Sequence, residues 1–165
     1  MTQENLTVNK SLKVSKKEIL DDFLLMNVSR NISYIGRKEV FMGRAKFGVF
    51  GDGKELPQIA MSKFFRNGDF RSGYYRDQTF MMSINQLTPD QFFAQLYAHT
   101  DIKKDPHSGG RQMNCHFGTR LLNENGDWKT QTDMMNSVSD ISCVSGQMPR
   151  IVGLAYASKL YRNNK

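Results

Sequence analysis

The sequence predicts one α/β domain in which helices predominate. Apolar residues recur at helical spacing in several segments, and clear helix-start signals precede two of them. Strand-like pieces are few and short, and no Val/Ile-rich run typical of a buried parallel strand occurs. With 165 residues, 39% of them hydrophobic, the chain can bury a real core. Because most sheet strands are missing, we expect the N-terminal part of a longer fold.

Composition and charge exclude several classes of protein. The chain has 23 basic and 16 acidic residues, a formal charge of +7, but the basic residues form no single helical stripe. General nucleic-acid binding is therefore not expected, although a basic adaptor domain that binds RNA or protein without a cofactor remains the alternative. No apolar run suits a membrane span or a signal peptide, so we expect no membrane contact and a cytoplasmic location. Cys115 and Cys143 lack metal-ligand spacing and are expected to be reduced thiols.

The first half of the chain is predicted to begin with a flexible arm, residues 1–14, which is polar. Ser15 and Glu18 form a capping-box pattern that predicts a helix to about Arg30. Residues 36–53 are rich in glycine and are predicted to form a connection and a short strand. The helix has an apolar stripe that is expected to face the core: Ile19, Leu20, Phe23, Leu24, Met26 and Val28.

The middle of the chain contains three further predicted elements. Helical spacing of apolar residues predicts a helix over residues 55–65, which Asn67 and Gly68 end. An extended segment follows at residues 70–75. A second helix is predicted over residues 79–87.

The clearest helix start lies at Thr88, with Pro89 in the first helical position and Gln91 three places after the cap. Residues 101–126 form a polar loop that is longer than usual, which is typical of loops that serve a binding site. The last helix is predicted to begin near Pro149. The helix after Thr88 is expected to bury four side chains: Phe92, Phe93, Leu96 and Tyr97.

The first candidate for chemistry is the segment that contains Tyr74, Tyr75, Arg76 and Asp77. An arginine between an extended piece and a helix can make two charge-assisted hydrogen bonds to a phosphate, and a tyrosine hydroxyl adds another donor. The alternative is an exposed Arg76 that pairs with Asp77 or another acid.

The second candidate is the loop that begins at Gly109 and contains Met113 and His116. His116 could donate to a carboxylate or carbonyl while Met113 shapes an apolar pocket. The alternative is a structural loop with a solvated histidine. The third candidate, residues 142–149, has small residues that let a flat ligand approach the backbone. Its alternative is an ordinary loop and helix start.

Together these segments carry a resemblance to a known family. In order and spacing they resemble the alpha-type chain of the thiamin-diphosphate-dependent decarboxylating component of 2-oxo acid dehydrogenase complexes. The resemblance covers residues 15–165, and GRQM at residues 110–113 is similar to branched-chain (2-oxoisovalerate) members. The other matching motifs are Gly53-Lys54-Glu55, Asn67-Gly68-Asp69, Tyr75-Arg76-Asp77, and the set Gln147, Pro149, Gly153 and Ala155.

The resemblance implies roles for five cofactor-binding residues. Tyr75 and Arg76, with Tyr74 adjacent, would hold the pyrophosphate of thiamin diphosphate. Ser142 and Val144 would contact the aminopyrimidine through backbone groups.

The resemblance also implies a substrate site and two departures from the family. Met113 and His116 would line the pocket, with His116 on the carboxylate of the 2-oxo acid. Asn114 stands where a proline is common, and Lys54 where glutamine is usual.

The resemblance implies oxidative decarboxylation of a 2-oxo acid and acyl transfer to a lipoyl carrier. Its partners would be a beta-type dehydrogenase chain or domain and the lipoyl acyltransferase component. The magnesium ligands would lie beyond this chain, and the activating glutamate would come from the beta-type part. We therefore expect no catalytic or metal-binding residue here, and no activity from this chain alone. Gly51-Asp52-Gly53 reproduces the opening of the magnesium motif without its closing asparagine pair, so Asp52 is interpreted as a turn residue.

Overall fold

A computed structural model describes residues 14–163 of the protein; apart from Val14, the predicted arm lies outside the described residues. β1 and β2 pair in parallel, with Phe70 opposite Asn136 and Ser72 opposite Val138. The helix-rich α/β prediction is confirmed at this level. The elements are α1 Lys16–Phe41, α2 Glu55–Ser62, β1 Phe70–Ser72, α3 Gln78–Ser83, α4 Pro89–Leu96, β2 Asn136–Val138 and α5 Gln147–Asn163, with a 3-10 turn at Gln131–Asp133 before β2.

α1 begins where its cap predicts. The Ser15 hydroxyl accepts a hydrogen bond from the backbone N–H of Glu18 at 3.1 Å, while the Glu18 carboxylate pairs with Lys63 instead of closing the box. The predicted end near Arg30 is wrong, because the helix continues to Phe41. Gly36 lies in this continuation, and a Cβ there would lie 2.5 Å from the Phe50 ring, so glycine lets α1 pack this closely against Phe50.

The apolar stripe predicted to face the core is largely exposed. Its first four members, Ile19, Leu20, Phe23 and Leu24, are 55–63% exposed. The buried residues of α1 lie further along and include Ser29, Ile32 and Ser33. The buried Gln78 amide explains this choice, since its Nε2 donates to the Ser29 carbonyl and to the Ser33 hydroxyl, each at 2.9 Å. The face of α1 that contains Ser29 and Ser33 therefore packs inward, because the side chain of Gln78, distant in sequence, forms hydrogen bonds with its polar groups.

The three middle elements exist but are shorter than predicted. α2 ends at Ser62, β1 has three residues, and α3 ends at Ser83. After β1 the chain turns, because the Asp77 carboxylate accepts the Tyr74 N–H at 2.8 Å and the Asp77 N–H bonds to the Tyr74 carbonyl.

The start of α4 is confirmed in full. Gln91 N–H donates to the Thr88 hydroxyl at 3.2 Å, and the Gln91 side chain accepts from Thr88 N–H at 3.0 Å. Phe92 and Leu96 are buried as predicted, whereas Tyr97 is half exposed and its hydroxyl donates to the Glu39 carboxylate at 2.7 Å. Helical spacing placed Tyr97 inward, but its hydroxyl gains a partner by staying at the surface.

The apolar core lies among α1, α3, α4 and the long loop. The loop has no regular helix, and its Asn114–Gly118 part is buried. Both cysteines are free thiols, and burial raises the pKa of the Cys115 thiol, which makes it a poor nucleophile. The buried apolar side chains of the core are Ile32, Ala45, Phe80, Met81, Met82, Leu87, Phe92, Leu96, Cys115 and Phe117.

His107 predicts a pH dependence of folding. Burial lowers the pKa of this ring below its usual 6.5, although the carbonyl groups of Gly118 and Gln86 oppose the shift. The unfolded chain therefore binds a proton that the folded chain resists, and the free energy of unfolding should fall as the pH drops below 6.5. Urea unfolding at a series of pH values measures this slope, and His107→Gln should flatten it. An equal slope in both proteins would contradict the assignment.

Candidate functional site

A cleft of about 600 Å³ brings several predicted site residues together. Its walls come from the end of α1, the segment that precedes α2, the turn after β1, the long loop and the segment before α5. The lining residues are Arg37, Phe47, Gly48, Val49, Phe50, Asp52, Tyr75, Arg76, Met113, His116 and Ser142.

The turn after β1 presents Arg76 without an acidic partner. The Asp77 carboxylate bonds to the Arg71 guanidinium at 2.9 Å, so the alternative in which Arg76 pairs with Asp77 is wrong. Arg76 is exposed and forms no ion pair within residues 14–163; its guanidinium carbon lies 5.9 Å from the centre of the Tyr75 ring. The Tyr74 hydroxyl donates to the Tyr75 hydroxyl at 2.5 Å. This turn therefore offers an uncompensated cation beside a phenol.

His116 and Ser142 meet inside the cleft. His116 is 2% exposed, so the alternative of a solvated histidine is wrong. Its Nδ1 lies 3.2 Å from the Asn114 carbonyl oxygen and its Nε2 lies 2.7 Å from the Ser142 hydroxyl. In a neutral ring, Nδ1–H then donates to the carbonyl and Nε2 accepts from the serine. The Tyr75 ring stacks on the imidazole with centroids 5.9 Å apart, so all three of the predicted segments are in contact through His116.

Asn114 explains one departure from the family pattern. Its side-chain amide donates to the Val49 carbonyl at 2.7 Å, and its side-chain oxygen accepts the Val49 N–H at 2.8 Å. A proline at this position has no side-chain polar atoms and could not form these two hydrogen bonds. Asn114 thus fastens the long loop to the opposite wall of the cleft.

Sequence reasoning missed the ion pair of Arg37 and Asp52. The two side chains lie 2.6 Å apart on the cleft wall, and the Arg37 guanidinium lies 5.8 Å from the centre of the Phe50 ring. Asp52 lies in a turn, as predicted from the sequence. Arg37 was missed because α1 was predicted to end before it.

Two predicted residues do not line the cleft. Tyr74 reaches it only through Tyr75, and the Val144 side chain is 72% exposed. Their predicted roles stay predictions. Within residues 14–163, His, Cys, Asp and Glu side chains form no group of three that could hold a metal ion. The helices of that same range include none long and apolar enough to cross a membrane.

Comparison with known proteins identifies the family. Residues 25–165 match the family model described as the dehydrogenase E1 component. This chain belongs to that family. The family depends on thiamin diphosphate, so the cleft of this E1 chain is a candidate cofactor site. An adaptor domain without a cofactor is not supported.

Two curated relatives show how much of an E1 protein the chain represents. It is 25% identical over 157 residues to the 2-oxoisovalerate dehydrogenase subunit alpha of Bacillus subtilis (strain 168), covering 94% of this chain and 42% of that protein. It is 27% identical over 139 residues to the mitochondrial 2-oxoisovalerate dehydrogenase subunit alpha of Caenorhabditis elegans, covering 84% of this chain and 27% of that protein. The E1 chain thus spans less than half the length of these relatives.

Proposed function

We propose that this chain contributes the pyrophosphate-binding part of a thiamin diphosphate site in an E1 protein that decarboxylates a 2-oxo acid. The observation that carries this proposal is the Arg76 guanidinium beside Tyr75, which has no ion-pair partner among residues 14–163 and lies in a cleft that His116 and Ser142 also line. The architecture would be that of a thiamin-diphosphate-binding fold, of which this helix-rich chain forms the N-terminal part.

The donor set suits a pyrophosphate. The charge of Arg37 is offset by Asp52, so Arg76 leaves the cleft lining with a net positive charge. A guanidinium can make two parallel hydrogen bonds to phosphate oxygens, and the Tyr75 hydroxyl adds a donor, with Tyr74 supporting it from behind. The bound cofactor would supply the carbanion-stabilising chemistry by which a 2-oxo acid loses carbon dioxide.

Ser142 and Val144 would hold the aminopyrimidine through their backbone groups. Ser142 lines the cleft and its hydroxyl is held by His116 at 2.7 Å, so the backbone beside it has a defined position. This placement would put the two ends of the cofactor on two separate segments of the chain, the turn after β1 and the segment before α5.

The apolar part of the cleft suits a branched aliphatic substrate such as 2-oxoisovalerate. Phe47, Val49, Phe50 and Met113 provide its apolar lining. His116 would bind the carboxylate of the 2-oxo acid.

The remaining parts of the reaction would come from partners. We propose a beta-type chain or domain that completes the site, and a lipoyl acyltransferase component that receives the acyl group. Magnesium would accompany the cofactor on ligands outside the described residues. Location in the cytoplasm stays a prediction from the sequence.

Replacing Arg76 tests the proposal. In the complete E1 protein assembled with its beta-type partner, Arg76→Ala should weaken thiamin diphosphate binding by about tenfold to a hundredfold, because one charge-assisted hydrogen-bonding group is lost. Isothermal titration with thiamin diphosphate and magnesium measures this. Arg66→Ala, which also removes an exposed arginine, should bind as the parent does. Equal affinities of the parent and Arg76→Ala would show that Arg76 does not bind the cofactor and would contradict the proposal.

A further inference from the structure

Arg71 is a buried arginine on β1 whose side chain has no place in the proposed binding of cofactor or substrate. It is 7% exposed. Its Nη1 donates to the Ser137 hydroxyl on β2 at 2.5 Å, and its Nη2 donates to Asp77 at 2.9 Å and to Asp140 at 3.0 Å. A single guanidinium therefore bonds to three residues on two segments, the turn after β1 and the stretch from β2 to Asp140.

The Asp77 bond reaches the turn that presents the proposed pyrophosphate ligands. The Asp77 oxygen that accepts from Arg71 also accepts the backbone N–H of Tyr74 at 2.8 Å. Tyr75 and Arg76 lie between these two residues. Any displacement of the Asp77 carboxylate therefore changes the shape of the turn from which their side chains project.

The Asp140 bond reaches the other side of the cleft. The Asp140 oxygen that accepts from Arg71 also accepts the N–H of Phe117 at 3.0 Å, and Asp140 N–H donates to the Phe117 carbonyl at 2.8 Å. His116 directly precedes Phe117, and Ser142 follows Asp140 by two residues. The pair that meets in the cleft, His116 with Ser142, is thus anchored to the same guanidinium as the turn.

The charges and the packing explain why this arrangement requires arginine. Two carboxylates, Asp77 and Asp140, share one cation, and the Asp140 side chain is fully buried. The guanidinium also packs closely against Gly73, where a Cβ would come within 1.6 Å of Nη2. A planar group with donors on two separate nitrogens fits this slot, whereas lysine carries its three donors on one nitrogen and cannot occupy both the Nη1 and the Nη2 positions.

We propose that Arg71, through Asp77 and Asp140, is the positioning residue that sets the Tyr75–Arg76 turn and the His116–Ser142 pair at the spacing the cofactor requires. The inference rests on the proposed function for its purpose, but its geometry can be tested without the cofactor.

The first test is a double-mutant cycle on cofactor binding in the complete, assembled E1 protein. Arg71→Lys keeps the charge and should weaken thiamin diphosphate binding by about tenfold, since a small displacement of a binding group has effects of this size or larger. In an Arg76→Ala background the same change should cost about threefold or less, because the only charged group among those that Arg71 positions is already absent. Arg66→Lys, an exposed matched change, should leave affinity unaltered.

The outcomes of this cycle are separable. Parent-like affinity of Arg71→Lys would overturn the proposal. So would full multiplication of the Arg71→Lys and Arg76→Ala losses, because independent effects are those of a residue that only stabilises the fold. Thermal unfolding of each variant identifies any loss that comes from a reduced folded fraction.

The second test measures the positions directly in the protein without cofactor. Hydrogen exchange of the Tyr74 and Phe117 amides, whose acceptors are Asp77 and Asp140, should speed up by about tenfold or more in Arg71→Lys. The Phe92 amide, bonded to Thr88 in α4, should keep its parental rate. If Arg71→Lys does not fold, Asp140→Asn removes one of the two carboxylate charges with little change of shape and should speed up exchange at Phe117.

This exchange result separates the two proposals. Faster exchange at Tyr74 and Phe117 in a protein whose parent binds no thiamin diphosphate would keep the positioning role and reject the proposed function. Unchanged exchange at both amides, or an equal increase at Phe92, would overturn the positioning role itself.

Discussion

Replacing Phe92 by alanine is expected to remove about 3–5 kcal/mol from the free energy of unfolding. The side chain is completely buried, and its ring lies 6.3 Å from that of Phe50 and 5.4 Å from that of Phe93, centre to centre. Alanine would leave a cavity between α4 and the Phe50 segment, because neither can move far enough to fill it. Since whole domains are stable by only about 5–15 kcal/mol, this one change removes a large share.

Urea unfolding followed by circular dichroism measures the loss. Phe64→Ala is the matched control, because Phe64 is 74% exposed and its removal should change the free energy of unfolding by less than about 0.5 kcal/mol. Phe50 lines the cleft, so Phe92→Ala should also loosen that wall. A loss below about 1 kcal/mol for Phe92→Ala would mean that α4 is not packed as described.

Gly51→Ala is expected to damage stability and cofactor binding together. A Cβ at Gly51 would lie 2.4 Å from the Arg76 carbonyl oxygen, which is backbone and cannot rotate away. Gly51 N–H also donates to the Gln78 side chain at 3.1 Å, and the Gln58 side chain donates to the Arg76 carbonyl at 2.9 Å. Movement of either the Gly51 segment or the Arg76 turn would therefore break a hydrogen bond. Overpacking of this kind costs about 1–3 kcal/mol.

The same displacement moves the residue proposed to hold the pyrophosphate. Gly51→Ala should therefore lower thiamin diphosphate affinity as much as Arg76→Ala, about tenfold to a hundredfold. Gly153→Ala is the control, since a Cβ there meets nothing within 4 Å and the helix should be unaffected or slightly more stable. Titration and thermal unfolding of both variants decide the matter, and parental affinity in Gly51→Ala would show that the Arg76 backbone does not set the site.

Local signals in the sequence determined the helix starts and the motif residues. Thr88 with Gln91, and Ser15 with the Glu18 amide, cap their helices through neighbours three positions away, so the pattern alone is sufficient. The family was likewise accessible from ordered motifs, which the family match over residues 25–165 confirms. That match covers Tyr75, although its role stays a prediction.

Only the tertiary structure decided which residues face inward and which charges pair. Ser29 faces the core because Gln78, 49 positions away, supplies its carbonyl with a donor. Arg76 is available because Arg71 takes the Asp77 carboxylate, and Arg71 in turn depends on Asp140, 69 positions away. Hydropathy and spacing describe single segments, whereas burial of a polar group depends on a partner that folding brings from elsewhere in the chain. For that reason the sequence by itself determined the helix starts and the family, and the folded chain decided the shape and charge of the cleft.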